Sequence, residues 1–291
     1  MALSSLLLVV LASFVHAAWN LLAKKAATVG PIFVFFYNLV ACAAYAPWVI
    51  HQLANGDGVV WTCAGVGFVL VSGLVHLAYS LCLQRGYLVA DLSVVYPVAR
   101  GSGPMLSTLG AFLILGEGPS GFGLSGVLLV AVGIVLIATQ GDLAVFRRPS
   151  GHAGVRWGAA TGGLIGTYTV VDAYAVKELG IAPVVLDWFS NLLRFFLLAP
   201  LVVAKPGRAV EAMRGYWRIA IAVGLLSPLS YILVLAALSS GAPLSLVAPM
   251  REMSMMLGAL MGMLVLRERV GPWRLAGSAV LVAGVILLAQ G

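Results

Sequence analysis

The chain has 291 residues, 62% of them hydrophobic and 9% charged, with a formal net charge of +7 and a mean hydropathy of +1.05. A soluble domain carries about 25% charged residues, so this composition excludes a mostly water-exposed surface and makes the lipid bilayer the solvent. The basic residues are scattered over several loops, which excludes a clustered nucleic-acid patch as the origin of the positive charge.

A helix that crosses the hydrocarbon needs about 20 largely apolar residues. Ten windows of this kind follow one another at 2–23, 32–50, 61–84, 92–115, 122–140, 157–176, 184–203, 216–238, 243–266 and 273–290. They are continuous Leu/Val/Ala/Gly-rich runs without the alternation of a membrane barrel, so the predicted class is an all-α integral membrane protein with ten transmembrane helices. The first window, with LLLVVLASFVHA, imitates a secretory leader. It lacks a charged start and has a counterpart later in the chain, so it is expected to remain as a helix. Cys42, Cys63 and Cys82 form no CxxC pair and predict neither a disulfide framework nor a metal site.

Ten spans leave both termini on one face. Lys177 is the one basic residue assigned to that face, Arg100, Arg194 and Arg251 fall inside windows, and the other Lys and Arg lie in loops of the opposite face. The positive-inside rule then places both termini on the non-cytoplasmic side of the inner membrane.

The phrase LSVVYPVAR at 92–100 returns as LSLVAPMRE at 244–252. At an offset of 152, Lys25 matches Lys177, Tyr79 matches Tyr231 and Pro97 matches Pro249; at 151, Glu117 matches Glu268, Gly126 matches Gly277 and Gly133 matches Gly284; at 153, Asn38 matches Asn191 and Pro47 matches Pro200. The chain reads as two five-helix units, 1–142 and 152–291, joined by GDLAVFRRPSGH. An odd number of spans per unit makes the second enter the membrane inverted. Inverted repeats belong to transporters, with the substrate near mid-membrane between the repeats.

These features resemble the drug/metabolite transporter superfamily, specifically its ten-helix members built from two EamA units. The residues that carry the resemblance are HAAWNLLAKKA at the end of the first window, the Pro-centred fourth and ninth windows, the LGE and LRE endings at Glu117 and Glu268, and the Gly-spaced fifth and tenth windows. The resemblance covers essentially the whole chain. It implies a secondary transporter, commonly an exporter of amino acids or other small metabolites, with a central cavity lined by helices 1, 3, 4, 6, 8 and 9.

Ionisable groups inside a membrane are costly, by about 2.5–3.5 kcal/mol each on insertion scales. Arg100 lies nine residues past Asp91, and Glu252 nine past Pro243, each about 13 Å deep from opposite faces. An axis relating the two units brings them together, either as a structural ion pair or as part of a site for a zwitterionic or anionic substrate. Arg251 could replace either partner, and Glu252 could instead carry a coupling proton. His76 and Tyr79 share a helix face, as do Tyr96 and Arg100; His76 packs as a core histidine or moves a proton. Trp19, Tyr168 and Asp172 extend an aromatic and polar lining suited to cation–π contact. Trp61, Trp188 and Trp273 are expected to anchor at the membrane interface. Asp187 and Arg194, two turns apart, point to structural pairing, with Asp172 as the other carboxylate open to Arg194. Pro97 and Pro249 kink their helices and free backbone groups, and Pro104 and Pro228 are further candidates. The Gly162/Gly166 and Gly258/Gly262 spacings predict close helix packing.

GFGLSG at 121–126 matches a dinucleotide pattern, but it follows an apolar helix rather than a strand. No GxxxxGK[ST], HExxH or GxSxG occurs, which argues against ATP hydrolysis and against the common hydrolase classes. No repeated filter loop suggests a channel. The expected function is alternating-access transport of a small polar or amphipathic metabolite, most simply export. A lipid-headgroup flippase and a non-transport membrane enzyme are the alternatives. The expected substrate-binding set is Trp19, His76, Tyr79, Tyr96, Arg100, Tyr168, Asp172, Tyr231 and Glu252, with Pro97 and Pro249 as hinges. No cofactor, metal or nucleic acid is called for. The proton is a candidate coupling ion, and a monomer is sufficient, with a dimer also open.

Overall fold

The computed structural model describes residues 2–56, 62–90, 92–147, 149–257 and 271–290. Apolar runs without water-facing polar residues fold here as helices, and no strand occurs among the described residues. In chain order they are α1 Leu3–Lys25, α2 Pro31–Ala54, α3 Cys63–Val89, α4 Leu92–Ile114, α5 Gly121–Thr139, α6 Pro149–Lys177, α7 Pro183–Val203, α8 Pro206–Ala212, α9 Trp217–Ser239, α10 Leu244–Met250 and α11 Pro272–Gln290. A further helical stretch at 253–257 follows α10 across a turn.

Six of these, among the described residues, contain stretches long and apolar enough to cross a membrane: Leu3–Ala23, Pro31–Ala54, Cys63–Leu83, Gly121–Thr139, Pro183–Val203 and Trp217–Ser239. In α11 the apolar stretch is shorter, Leu275–Leu288. Helices α4 and α6 fall outside this set, and both carry polar side chains buried in the bundle, such as Arg100, Thr161 and Asp172. The surface is apolar where a soluble protein's would be charged: Leu7, Leu11 and Phe14 of α1, Leu70 and Leu74 of α3, and Leu128 and Val132 of α5 are exposed. Arg100, Asp172, Asp187, Arg194, Arg251 and Glu252 lie inside. That reversal is what lipid as solvent requires.

Packing is set by small residues. Gly154, Gly158, Gly162 and Gly166 recur along α6 on one stripe against α4; a methyl on Gly158 would come within 2.9 Å of the Val95 carbonyl, and one on Gly162 within 3.0 Å of the Ala99 carbonyl. In α5 and α11, a methyl on Gly126 would meet the Gly284 carbonyl at 2.8 Å, and one on Gly133 the Gly277 carbonyl at 2.8 Å. Such approach lets backbones pack without a hydrophobic drive between helices. Elsewhere α1 packs on α9, α3 on α6, α2 on α7, and α4 on α5, α6 and α10.

Three local features go beyond the ten windows. The joining segment is partly helical: Leu143–Arg147 forms a 3-10 turn, and α6 already begins at Pro149, whose fixed φ suits a first helical position. The short α8 stands between the seventh and eighth windows. Equivalent prolines behave differently: α4 runs unbroken through Pro97, whereas α10 stops one residue after Pro249. The missing Pro249 N–H frees the Ser245 carbonyl, which accepts instead from Thr108 Oγ1 at 3.4 Å. Glu252 N and Ser254 N then donate three residues back, to Pro249 O at 3.0 Å and Arg251 O at 3.2 Å. Trp61, Asp91, Gly258, Gly262, Arg267, Glu268 and Arg269 lie outside the described residues.

Candidate functional site

Arg100 projects from the middle of α4, and Glu252 from the turn after α10. Arg100 Nε lies 3.3 Å from Glu252 Oε2, and Arg100 Nη1 donates to Oε1 at 3.4 Å. Glu252 is fully buried and Arg100 is 7% exposed. Arg251 adds a second cation, its Nε 3.9 Å from Glu252 Oε1. The Tyr96 ring sits one turn below Arg100, 5.7 Å from its guanidinium carbon.

From this pair a continuous polar and aromatic network crosses the bundle. Arg100 Nη2 approaches His16 Nε2 at 2.9 Å. An Arg nitrogen can only donate, so that imidazole nitrogen accepts. His16 meets the edge of Trp19 at 5.0 Å between centroids, and Trp19 Nε1 donates to Ser230 Oγ at 3.1 Å. The adjacent Tyr231 donates its hydroxyl to Asp172 Oδ2 at 2.6 Å. Asp172 Oδ2 lies 3.9 Å from His76 Nε2, and His76 stacks on Tyr168 at 3.9 Å. Tyr79 packs edge-on to Tyr168 at 5.6 Å. Every residue of the expected substrate-binding set therefore falls in one connected cluster, drawn from α1, α3, α4, α6, α9 and the turn after α10.

Sequence reasoning overlooked His16, Ser72 and Ser230. His16 and His76 lie far apart along the chain, yet both belong to this network. The signal for His16 was its place three residues before Trp19, on one helix face. Ser72 lies one turn before His76, and its carbonyl accepts from His76 Nδ1 at 3.0 Å. Several polar atoms of the cluster have no hydrogen-bond partner among the described residues: Arg251 Nε, Glu252 Oε2 and Asp172 Oδ1. Buried groups in that condition are rare. With both histidines neutral, Arg100 and Arg251 balance Glu252 and Asp172.

Outside the centre, Asp187 and Arg194 are joined through Asn191, which donates to Asp187 Oδ2 at 2.7 Å and accepts from Arg194 Nη2. Trp188 proves to be a cross-link rather than an interface anchor: its Nε1 donates to the Cys42 carbonyl of α2 at 2.8 Å. Trp273 is half exposed and covers Gly141.

A second acid–base contact sits at one end of the bundle. Glu117, between α4 and α5, takes Lys177 Nζ at 2.8 Å and Leu244 N at 2.6 Å on Oε1, and Ser245 N at 2.9 Å on Oε2. It thus caps the start of α10, where amide groups are otherwise unpaired. Burial pushes this carboxyl up, but the Lys177 ammonium and the two amides outweigh it and hold it below its ordinary 4.5. A cavity of about 210 Å³ lies beside this clasp, against Thr108, Phe112, Ser120 and Pro243, smaller than the roughly 300–1,000 Å³ of usual ligand pockets and apart from the central cluster.

Residues 152–290 match the EamA-like transporter family. The chain is 25% identical over 293 aligned residues, 99% of its own length and 96% of the relative's, to the pseudopaline exporter CntI of two strains of Pseudomonas aeruginosa. A solved crystal structure aligns with 100% of this chain and 98% of its own at a TM-score of 0.79 and 17% identity, a likeness of fold alone. The second half of the chain thus matches the EamA-like transporter family, and the chain as a whole is similar to a bacterial exporter.

Proposed function

We propose that the protein is a secondary-active carrier that moves a small polar or amphipathic metabolite by alternating access, with export of amino acids or related compounds as the favoured direction and class. The observation that carries this reading is the central cluster: buried charges from both halves of the chain, with donor and acceptor atoms left over for a ligand. The pseudopaline exporter's name supports export of a small metabolite. Binding of a zwitterion would give Arg251 Nε an acceptor and Asp172 Oδ1 a donor, while Trp19, Tyr79, Tyr96, Tyr168 and Tyr231 would contact its apolar part.

The architecture behind this function is ten spans in two inverted units, 1–142 and 152–291, around the cluster, with Pro97 and Pro249 at the bending points. Packing supports it. Under the repeat, the α1–α9 contact exchanges with α6–α3, and the Gly126–Gly284 contact exchanges with Gly277–Gly133. The Glu117–Lys177–Leu244 clasp gathers three loops at one end, as the alternation of spans requires. That end is the non-cytoplasmic one, and it bears both termini at the inner membrane. One chain encloses the cluster, so a monomer suffices.

The test is a thermal-shift screen of purified protein in detergent against amino acids, amines, organic acids and nucleotide sugars. A ligand bound to the native state alone adds about 2.7 kcal/mol at a hundredfold excess over Kd. A hit that Arg100→Gln abolishes, in a protein that still melts cooperatively, supports the reading. Silence across all soluble classes replaces it with a lipid-like substrate.

A further inference from the structure

Resting on the carrier reading above, we propose that Asp172 and His76 together form an exchangeable proton site, and that this proton is the coupling ion.

Among the described residues three carboxylates are buried, and their surroundings differ. Glu252 is held between two arginines, at 3.3 Å and 3.9 Å. Asp187 accepts from Asn191, which is itself held by Arg194. Asp172 has no such cation: among the described residues its ion-pair partner is His76, a group that is a cation only when protonated. Tyr231 satisfies Oδ2 at 2.6 Å, and Oδ1 has no hydrogen-bond partner among the described residues.

The histidine is set in the matching form. A carbonyl oxygen only accepts, so the 3.0 Å contact to Ser72 O fixes the hydrogen on Nδ1. Nε2 is left as a lone pair, facing Asp172 Oδ2 at 3.9 Å. That separation is too long for a direct hydrogen bond; one added proton, on either the carboxylate or the imidazole, draws the two together. The pair titrates as a unit. Around it stand Tyr231 of α9, Tyr79 of α3 and Tyr168 of α6, Arg100 and Tyr96 of α4, Asp187 and Arg194 of α7, Arg251 and Glu252 beyond α10, and His16 of α1. Arg194 and Arg251 act on both members electrostatically.

One proton changes the sum of Arg100, Arg251, Glu252 and Asp172 from zero to +1. Proton occupancy and the charge of a bound substrate are therefore linked, and by the same factor in each direction. The pair is also coupled mechanically, because Tyr231 neighbours Ser230, which holds Trp19.

Infrared difference spectroscopy of the full-length protein in detergent, between about pH 5 and 8, reads both the protonated-carboxyl stretch and the imidazole ring modes. A reversible transition is expected in the parent protein, absent in Asp172→Asn and retained in Glu252→Gln. His76→Gln and Tyr231→Phe keep the carboxylate and are expected to move the midpoint by about one pH unit; with Tyr231→Phe the midpoint rises, since the ionised form loses its donor. A transition that survives Asp172→Asn, disappears in Glu252→Gln, or keeps its midpoint in both conservative variants overturns the assignment. If Asp172→Asn does not fold, the conservative variants decide. Substrate binding at fixed pH is read separately, so the carrier reading can stand while the proton site fails.

Discussion

Two acid–base contacts in this protein look alike by distance and differ in how completely they are satisfied. At the clasp, both oxygens of Glu117 are occupied, by the Lys177 ammonium and by the first amides of α10. At the centre, Arg100 and Glu252 are more deeply buried, yet Glu252 Oε2 and the neighbouring Arg251 Nε lack hydrogen-bond partners. A satisfied contact holds helices in place. An incompletely satisfied one in low dielectric costs stability, and it persists where a ligand completes it. On the function proposed above, the clasp is structure and the centre is the ligand site.

The most severe way to break the comparison is at the centre. Removing Arg100 alone, as Arg100→Gln, strands a fully buried Glu252 carboxylate, and about 3–5 kcal/mol of stability should be lost. Arg251, 3.9 Å from Glu252, is placed to recover part of it. The double variant Arg100→Gln with Glu252→Gln removes the stranded carboxylate but leaves Arg251 without it, so detergent melting should return part of the way towards the parent while ligand binding does not. If the double variant also transports, the pair is structural and the distinction between the two regions fails.

A smaller loss is expected at the clasp. Glu117→Gln weakens the contact to Lys177 and the cap on α10, costing about 1–3 kcal/mol. The pH dependence follows from the lowered carboxyl. A group that ionises more easily in the folded state stabilises above its unfolded value, near 4.5, and that stabilisation fades as pH falls through the lower folded value. Melting curves of parent and variant should thus converge on acidification below about 4.5 and run parallel above it. Ligand binding per folded molecule should change less than in the central variants.

How far these two regions could be read from sequence follows from their chemistry. Arg100 and Glu252 were legible because charges in an apolar helix are conspicuous and the repeat phrase aligns them. The aromatic partners followed from helix spacing around them. His16 was not legible: its role depends on its ring reaching Arg100 across the bundle, a tertiary fact. Glu117 was noticed as part of an LGE ending, but its partners are backbone amides 127 and 128 residues away, which carry no side-chain signature. Trp188 was misread for a related reason. Amphipathic aromatic residues anchor at interfaces as a class, and only packing of α7 on α2 reveals a buried acceptor for its N–H.

That tryptophan provides the gentlest test of the same distinction. Its hydrogen bond to the Cys42 carbonyl at 2.8 Å is satisfied like the clasp and remote from the central charges. Trp188→Phe keeps an aromatic ring against Val49, Val184, Val185 and Ile232 and removes only the donor. The Cys42 carbonyl retains its place in α2, so the expected loss is about 1 kcal/mol, seen as a small drop in melting temperature. Ligand affinity and the infrared proton transition should stay as in the parent. If either changes, the α2–α7 contact transmits to the centre through Asp187, Asn191 and Arg194, and the functional region reaches further than the ring of helices around Asp172.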